Sequence, residues 1–588
     1  MTAEYVTLGL YFIILIAIGL LLSRQNKNLS DYVRGGAQGV WWLVGTSILM
    51  SGISAFTFTG NASAAFDAGP TMLVIYLANI VAYFLAWKWL AARFRRTRAY
   101  TQADIARDRF GITIEQFNVY SNLFLAPVLS AIQLWALSVF ASSVFNLPLQ
   151  WTIVGIGCVV VFYSTSGGKW AVMATDFVQS LIMIPITILI AVLAIHHIGG
   201  FGEFFSYFSD PRFASDFKFV KEPGQFADNK FTWHWIIVIF LMQLNNGISA
   251  GGAVRFFAAK DEKNASRAAL LAGILMGVGM IIWFLPPMVA RFMYENEVMS
   301  MGVDNPANAS YAFIAMKVLP EGMVGILIAA MFSATMSSMD TGLNTQTGTI
   351  VRNLVPRLRE ATGRQPMTDK ANILMCKIVT IILGIIIVTY ALMLSGQKEF
   401  KLFDAFLTIS SVIGLPIGLP ILVALYLKKI PYWSYFVIFM ACLVPSIWSF
   451  IDASVNDNAW SIQDRSMWIF IACGISVLIC MPFYKLSTPR YFKMVEDFFT
   501  RMHTPIDYAK EVGVSKDYDQ LYMMGNTCVA AAGLLCLLFI GVSAFWEILC
   551  VLFMVGFVGV VGLLLRKGAA VEKRKAAALE AKVMDAGK

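Results

Sequence analysis

The chain has 588 residues, of which 58% are apolar and 14% are charged, and its mean hydropathy is +0.68. These values lie outside the range of soluble globular domains. The net charge of +9 does not indicate a nucleic-acid partner, because the basic residues form short clusters between apolar runs, the positive-inside pattern of a membrane protein. The clusters are Arg93, Arg95, Arg96, Arg98; Arg255, Lys260, Lys263; Arg352, Arg357, Arg359, Arg364; and Lys428, Lys429.

Apolar runs of about 20 residues, each long enough to cross a bilayer, recur along the whole sequence. We therefore predict an all-α polytopic membrane protein with about fifteen transmembrane helices. The first run, 5–23, has neither the basic start nor the cleavage site of a signal peptide, so we expect a retained peripheral helix. The other predicted spans are core helices 1 to 10 at 40–66, 72–92, 116–144, 149–164, 171–196, 232–256, 267–291, 322–350, 372–395 and 404–427, and four peripheral helices at 432–451, 466–484, 521–543 and 545–565.

Placing the N-terminus outside and the C-terminus in the cytoplasm puts most basic residues on the inner face of a plasma or inner membrane.

The eight cysteines lie within or beside apolar runs without a C-x-x-C pair, so they indicate neither disulfides nor a metal site. The predicted divisions are an N-terminal helix and loop (1–39), a first repeat (40–196), an exterior loop (197–231), a second repeat (232–430), peripheral helices (431–566) and a cytoplasmic tail (567–588).

Three loop segments are long enough to fold. The exterior segments 197–231 and 292–321 mix polar and aromatic residues and could cover an outer vestibule as partial lids. The cytoplasmic segment 485–520 has aromatic and apolar residues at helical spacing beside basic ones, which favours an amphipathic helix lying on the membrane surface.

Two predicted core helices carry signals for an interrupted helix. Core helix 1 contains Ser51, Gly52 and Ser54 inside an apolar run, and core helix 6 reads FLMQLNNGISAGGAVR over 240–255. Glycine and serine weaken a helix interior, and unwound backbone at membrane depth is tolerated where it lines a cavity or binds a ligand. Because each interrupted helix opens a block of five spans, the pattern indicates a 5+5 inverted-repeat transporter. The alternative is that the small residues only allow close helix packing.

Few ionisable residues fall within the predicted spans. Placing an ionisable side chain inside a membrane costs free energy, so each such residue is a candidate for a functional role. Asp176 lies near the start of core helix 5. Core helix 8 places Ala330, Ser333, Ser337, Asp340 and Asn344 at spacings of three and four, so they form one stripe. We predict that this stripe faces the bundle as an exit route for a cation, although each hydroxyl could instead bond to its own helix.

Three segments carry a family resemblance: WWLVGTSILMSGISAFTFTG at 41–60, SGGKWAVMATDFVQ at 166–179 and AAMFSATMSSMD at 329–340. In order and spacing, over about residues 5–430, they resemble the sodium:solute symporter family with its LeuT-like fold. The resemblance implies Na+-coupled uptake of a small solute by alternating access. Its sodium ligands would be the backbone carbonyls of Met50, Ile53 and Ala330 and the hydroxyl of Ser333. Asp176 and Ser337 would lie at a second cation position. The family usually has a second Ser or Thr directly after the liganding serine, whereas Ala334 stands here, so Thr335 or Ser337 is the candidate replacement.

The same resemblance implies a solute cavity between core helices 1, 2, 3, 6 and 10. The candidate side chains are Phe56, Thr57, Asn79, Gln133, Gln243, Asn245, Asn246, Thr408 and Ser411. These are neutral hydrogen-bonding groups beside aromatics, which suits a sugar or a related neutral molecule. A carboxylate or amino acid remains an alternative, because a helix N-terminus could bind the acid group, and H+ could replace Na+.

Two other classes of protein are considered. A membrane enzyme would need a nucleophile, a metal site or an acid–base pair facing a cavity, and His196, His197, His234 and His503 fall at helix ends or in loops without a partnered carboxylate. A sensor that binds without transport would share the binding residues, but no attached signalling domain supports it. The expected partners are Na+, a small solute and the lipid bilayer, with no obligate protein partner evident.

Overall fold

A computed structural model describes residue 9 and residues 28–145, 147–166, 168–301, 305–320, 323–396, 402–456, 459–511, 517–541 and 544–586. The secondary structure of this part of the chain is helical, apart from one isolated β-bridge between Gly39 and Ala259. The helix predicted at 5–23 lies, except for one residue, outside the described residues.

The ten core helices appear in the predicted order, several of them divided. The undivided core helices are 3 (Ile112–Phe145), 4 (Leu149–Ser166), 5 (Lys169–His197), 7 (Glu262–Met299) and 9 (Asp369–Ser395). Two core helices are broken: core helix 1 consists of Trp41–Ser51, Ala55–Phe58 and Gly60–Ala68, and core helix 6 consists of Trp233–Ile248 and Ala250–Ala253 with a 3-10 turn Phe256–Ala258. Three core helices contain a π-helical turn: core helix 2 (Leu73–Leu85, turn Ala86–Leu90, Ala91–Arg96), core helix 8 (Met323–Thr349, turn Ile350–Leu354, Val355–Ala361) and core helix 10 (Leu402–Ile409, turn Ser410–Gly414, Leu415–Tyr426).

The remaining helices lie before, between and after these. They are Leu29–Arg34, Gln102–Phe110, Phe201–Ser206, Ala214–Phe217, Ser310–Val318, Ser434–Asn456, Ile462–Cys480, Pro489–His503, Tyr508–Glu511, Asp517–Leu535 and Phe545–Ala586, with 3-10 turns at Gly35–Ala37, Gly69–Met72, Tyr207–Ser209, Ala227–Asn229, Pro306–Ala309, Met481–Leu486 and Cys536–Gly541.

The predicted fold class, an all-α polytopic membrane protein with a LeuT-like core, is confirmed. The count of fifteen spans is not. Within the described residues, ten helices are long and apolar enough to cross a membrane, or eleven when the two parts of core helix 6 count as one span. The count falls short partly because Trp41–Ser51 is shorter than a full span and Ala55–Arg96 counts as a single span, and partly because the helix predicted at 5–23 lies outside the described residues.

Core helix 8 is the central helix of the bundle. In its most apolar window 94% of residues are buried against other helices, compared with 28% in core helix 9. Core helix 8 packs against core helices 1, 3, 4, 5 and 9. Its side chains therefore meet neighbouring helices on nearly all sides.

The exterior segment after core helix 5 folds back over the end of core helix 1. Lys221 is 2% exposed, and its ammonium donates to the carbonyl of Ala68 at 2.9 Å, to Thr71 Oγ1 at 3.2 Å and to the carbonyl of Lys218. Phe217 packs against Phe292 of core helix 7 with ring centroids 4.5 Å apart. The segment is thus fastened to two core helices.

The segment 485–520 forms the predicted amphipathic helix, Pro489–His503, and the apolar face expected to lie on the membrane packs on protein. Its apolar residues Tyr491, Val495, Phe498 and Met502 are buried because the helix packs against the end of core helix 2 and the helix Gln102–Phe110. The sequence pattern of a helix that docks on protein is the same as that of one that docks on a bilayer.

Candidate functional site

Core helix 1 is interrupted where the sequence predicts. The first part ends at Ser51, Ser54 is extended with φ −149° and ψ 178°, and the helix resumes at Ala55. The Ser54 side chain accepts from the backbone N–H of Phe56 at 3.3 Å, and Thr335 Oγ1 accepts from the N–H of Ala55 at 2.8 Å. The break is therefore fixed from both sides, and it exposes backbone carbonyls toward core helix 8.

Ser338 lies directly opposite this break. Its hydroxyl is 2.7 Å from the carbonyl oxygen of Ile53 and 3.2–3.4 Å from those of Met50, Ser51 and Ala334. A hydroxyl has one proton to donate, yet four carbonyl oxygens converge on it. We call these four carbonyls and the hydroxyl the break oxygen cluster; its oxygens are the ligand type that hard cations prefer.

The structure brings Ser338, and not Ser333, to the break. Ser333 Oγ donates to the carbonyl of Ala329 in its own helix at 2.7 Å. Ser333 and Ala330 precede Ser338 by five and eight positions, about 7.5 Å and 12 Å along the helix axis. Of the predicted sodium ligands, Met50 and Ile53 lie in the cluster and Ala330 and Ser333 lie beyond it.

Two residues of the predicted stripe on core helix 8 bond to other helices, and an exit route for a cation along the stripe stays a prediction. Asp340 accepts from Ser164 of core helix 4, and Asn344 donates to the carbonyl of Tyr32 at 3.0 Å. The face of core helix 8 that lines a cavity in the bundle consists of Ser338, Thr341, Gly342, Thr345, Gln346 and Thr349. The sequence could not fix the rotation because polar residues occur around the whole circumference of this buried helix.

Core helix 6 is also broken, as predicted. Its two parts meet at Ser249 with a bend of 44°, and Ser249 Oγ accepts from the N–H of Gly252 at 3.4 Å. A Cβ at Gly252 would lie 2.7 Å from the carbonyl of Asn246 and 2.8 Å from that of Gly247. Only glycine fits there, because the second part of the helix turns back across the last carbonyls of the first.

A buried ion pair joins core helices 5 and 6. Arg255 Nη1 is 3.1 Å from Asp176 Oδ2, with the side chains 5% and 1% exposed. Ser47 of core helix 1 donates to the same carboxylate oxygen and accepts from Arg255. The sequence pattern placed Arg255 in a loop cluster, whereas the structure buries its side chain between core helices 1 and 5.

A cavity of about 390 Å³ extends from the two breaks toward the end of the bundle that carries Arg93–Arg98 and Arg352–Arg364, here called the basic end. Its lining reaches Ser51 and Gly251 at the breaks and Gln102 and Ile350 at the basic end. The lining residues are Ser51, Gln102, Ala103, Asn118, Val119, Asn122, Leu123, Ala126, Leu129, Ser130, Gln133, Gly251, Ser338, Thr341, Gly342, Thr345, Gln346, Thr349 and Ile350, none of them charged. Of the predicted solute residues, Gln133 is in this set.

Beyond the breaks, on the side away from the basic end, side chains fill the space between the core helices. Phe56 packs against Phe406 of core helix 10 with ring centroids 4.9 Å apart. Tyr76 Oη donates to Thr57 Oγ1 at 3.0 Å and accepts from Asn61 at 2.9 Å. These contacts tie the second part of core helix 1 to core helices 2 and 10, so access to the breaks runs from the basic end.

The other predicted solute residues are dispersed. Gln243 and Asn245 are buried in core helix 6, Asn246 is exposed, and Asn79 and Thr408 are half-buried. Ser411 lies 2.8 Å from Ser466 and accepts from Arg465 at 3.2 Å. It therefore faces a peripheral helix, and the structure does not bring it to the cavity.

Sequence reasoning missed Ser338, Tyr76 and the role of Arg255. One signal was available for Ser338: Ser337 and Ser338 are consecutive hydroxyl residues, the arrangement that the motif requires and that Ser333–Ala334 lacks. Nothing in the sequence marks Tyr76 or Arg255, because their partners are more than a dozen residues away.

Comparisons with known proteins agree with this architecture. The model of the sodium:solute symporter family matches residues 32–432. The sodium/glucose cotransporter 2 of Rattus norvegicus is 21% identical over 574 residues, covering 88% of this chain and 83% of that protein. The sodium/sialic acid symporter NanT of Aliivibrio fischeri is 21% identical over 439 residues, covering 73% and 84%. A solved substrate-bound, outward-open Na+-coupled sialic acid symporter, 19% identical, covers 83% of this chain and 98% of its own, with a TM-score of 0.69.

Proposed function

Because the chain belongs to the sodium:solute symporter family, we propose that the solute it transports with Na+ is a small neutral polyhydroxy molecule, a sugar or a related compound. The coarser activity, Na+-coupled solute symport by a multi-pass membrane protein that is not an enzyme, follows from the family.

We assign the sodium ligands to the break oxygen cluster, one turn along core helix 8 from the set that the motif suggested. From this cluster the ligands would be the carbonyls of Met50, Ile53 and Ala334 and the hydroxyl of Ser338, and the hydroxyl of Ser337, which is outside the cluster, would be added to them. The support is the convergence of carbonyl oxygens on the single proton of Ser338, since a cation can satisfy several such oxygens at once. This assignment also restores the pair of adjacent hydroxyl residues.

The observation that carries the choice of solute is the uncharged cavity. Its polar lining consists of Ser, Thr, Asn and Gln side chains, which donate and accept hydrogen bonds as sugar hydroxyls do. A solute with a carboxylate or ammonium group would lose its hydration in this cavity without meeting a side chain of opposite charge. Burying an ion without a partner costs free energy.

The alternative of a carboxylate solute relied on a free helix N-terminus to bind the acid group. A helix N-terminus can bind an acid group, but at the restart of core helix 1 the N–H of Ala55 donates to Thr335 and that of Phe56 to Ser54. NanT is named for sialic acid, which has both a carboxylate and hydroxyls, so an acidic sugar is the alternative to exclude first.

We further propose that the basic end is cytoplasmic, with the N-terminus outside, because the basic clusters would then obey the positive-inside rule. The cavity would thus be the inward-facing half of an alternating-access cycle. The two five-helix repeats, 40–196 and 232–430, would be the units that contribute one broken helix each.

The test is a thermal-shift screen of the purified protein in NaCl and in choline chloride. Solutes are paired by charge: glucose with glucuronate, and N-acetylmannosamine with sialic acid. A ligand of the native state raises the unfolding midpoint, so we expect Na+-dependent shifts from the neutral member of a pair. Larger shifts from the acidic members would overturn the proposal. Uptake of the strongest ligand into proteoliposomes, with and without an inward Na+ gradient, then measures coupling.

A further inference from the structure

The buried pair of Arg255 and Asp176 is incompletely bonded. Arg255 Nε and Nη2 and Asp176 Oδ1 are buried without a hydrogen-bond partner among the described residues, and the hydroxyl of Ser337 faces this carboxylate. A buried ion pair repays its desolvation only when the remaining donors and acceptors are also satisfied. Buried groups without a partner are candidates to bind an ion or a water molecule.

The pair lies next to the break oxygen cluster. Ser47, which bridges Arg255 and Asp176, is one helical turn before Met50, and Ser337 directly precedes Ser338. The Asp176 carboxylate therefore lies beside the cluster, on the side of the part of core helix 1 that precedes the break. The guanidinium of Arg255 already occupies one oxygen of that carboxylate.

Arg255 also lies in the part of core helix 6 that follows the 44° bend. Its hydrogen bonds to Ser47 and Asp176 connect this part to core helices 1 and 5. Any cation that displaces the guanidinium from Asp176 removes this connection. Occupancy by the ion and the position of the segment would then be linked, and such linkage is reciprocal.

We propose that Arg255 is a coupling residue, whose guanidinium and the transported Na+ compete for the carboxylate of Asp176. In the Na+-free protein Arg255 neutralises Asp176 and anchors the second part of core helix 6 to core helices 1 and 5. When Na+ takes the carboxylate, that anchor is released and the broken helix is free to move. This inference rests on the proposed sodium site.

The first test measures Na+ binding without transport, from the Na+ dependence of the unfolding midpoint of the purified protein. For Arg255→Gln we expect a lower midpoint in Na+-free buffer, a larger stabilisation by Na+, and a dissociation constant for Na+ at least threefold lower than wild type. Adding Asp176→Asn to Arg255→Gln should abolish the gain in affinity. An unchanged or weaker affinity in Arg255→Gln overturns the proposal.

Lys169→Gln is the matched control. Lys169 is also buried, at 1% exposure, and lies near the same carboxylate, but its ammonium makes no hydrogen bond. Its removal changes the local charge by the same amount without vacating Asp176, so we expect a smaller gain in Na+ affinity. An equal gain would mean that general electrostatics, and not competition, sets the affinity, and would overturn the proposal.

If Arg255→Gln does not fold, a second variant and a second measurement still test the proposal. Arg255→Lys keeps the charge but lacks the planar set of donors, so we expect an intermediate gain in Na+ affinity; no gain contradicts the proposal. The affinity for the solute, measured with and without Na+, should lose most of its Na+ dependence in either variant. A wild-type protein that shows no stabilisation by Na+ refutes the sodium site itself, whereas a wild-type response with unchanged variants refutes only the role of Arg255.

Discussion

The hydroxyl of Ser338 and the carbonyl oxygen of Ile53 lie 2.7 Å apart although 285 positions separate them in the chain. The contact joins the most buried core helix to the point where core helix 1 loses its regular hydrogen bonds. Three further carbonyl oxygens lie within 3.4 Å of the same hydroxyl. This arrangement explains how an unwound peptide segment is tolerated inside the bundle, since its oxygens face a polar group and not lipid.

Replacing Ser338 by alanine should weaken Na+ binding about tenfold, since the loss of one ligand worth about 1.4 kcal/mol changes an affinity by that factor. The Na+ concentration for half-maximal uptake in proteoliposomes gives the measurement. Ser333→Ala is the matched control: Ser333 bonds to Ala329 in its own helix, so its loss should change the Na+ dependence less than twofold. A larger effect at Ser333 would return the sodium site to the register that the motif suggested.

The breaks in core helices 1 and 6 could be predicted from the sequence because their cause is local. Gly52 and Ser54, or Gly251 and Gly252, interrupt apolar runs, and each residue weakens helix by itself. The rotation of core helix 8 could not be predicted in the same way. Of the residues in its most apolar stretch, 94% are buried, so this helix has no side that faces solvent or lipid. The spacing of apolar residues therefore does not indicate which serine faces the break.

The partners of Arg255 and of the helix Pro489–His503 were also beyond the sequence pattern. Arg255 follows a broken segment and is close in sequence to Lys260, so it resembles a loop residue, yet it is 4% exposed. The amphipathic pattern of the cytoplasmic helix predicts an apolar partner without specifying lipid or protein. Both outcomes depend on contacts between residues far apart in the chain, which a single sequence does not reveal.

Replacing Gln133 by leucine should raise the half-saturating solute concentration about tenfold, because a lost hydrogen bond to a polar solute is worth about 1–1.5 kcal/mol. Gln133 lines the cavity and is not one of the residues of the break oxygen cluster, so the Na+ dependence should stay within twofold of wild type. Gln243→Leu is the comparison, since Gln243 is buried in core helix 6 and does not line the cavity. A stronger effect from Gln243 would place the solute between the broken helices and not in the cavity.

Lys221 should make the stability of the protein rise with pH above neutrality. Burial in the exterior segment lowers the pKa of Lys221 to about 8 from its ordinary 10.5. Between these values the unfolded chain carries the proton and the folded protein does not, so raising the pH through this window favours the folded state. We expect the unfolding midpoint of wild type relative to Lys221→Met to rise by about 2 °C between pH 7 and pH 9.5. A difference that is constant or falls with pH would contradict this burial effect; Lys218→Met serves as the control for exterior charge.

Arg109 should be the most sensitive basic residue on the cytoplasmic side. It is fully buried, and its guanidinium donates to the carbonyls of Ala424, Leu427 and Lys428 at 3.0–3.2 Å and to the hydroxyl of Tyr491. It thereby satisfies the carbonyls at the end of core helix 10, which have no partner within the helix, and joins them to the helix Pro489–His503.

Lysine at position 109 keeps the charge but cannot reach several carbonyls with one planar group, and unsatisfied buried groups cost about 1–3 kcal/mol each. We therefore expect Arg109→Lys to lower the unfolding midpoint by several degrees while Na+ and solute affinities remain unchanged. Arg107→Lys is the matched control from the same helix, because the Arg107 side chain is 33% exposed and pairs with carboxylates that an ammonium can also neutralise. Equal midpoints for the two variants would show that the cap on core helix 10 contributes little to stability.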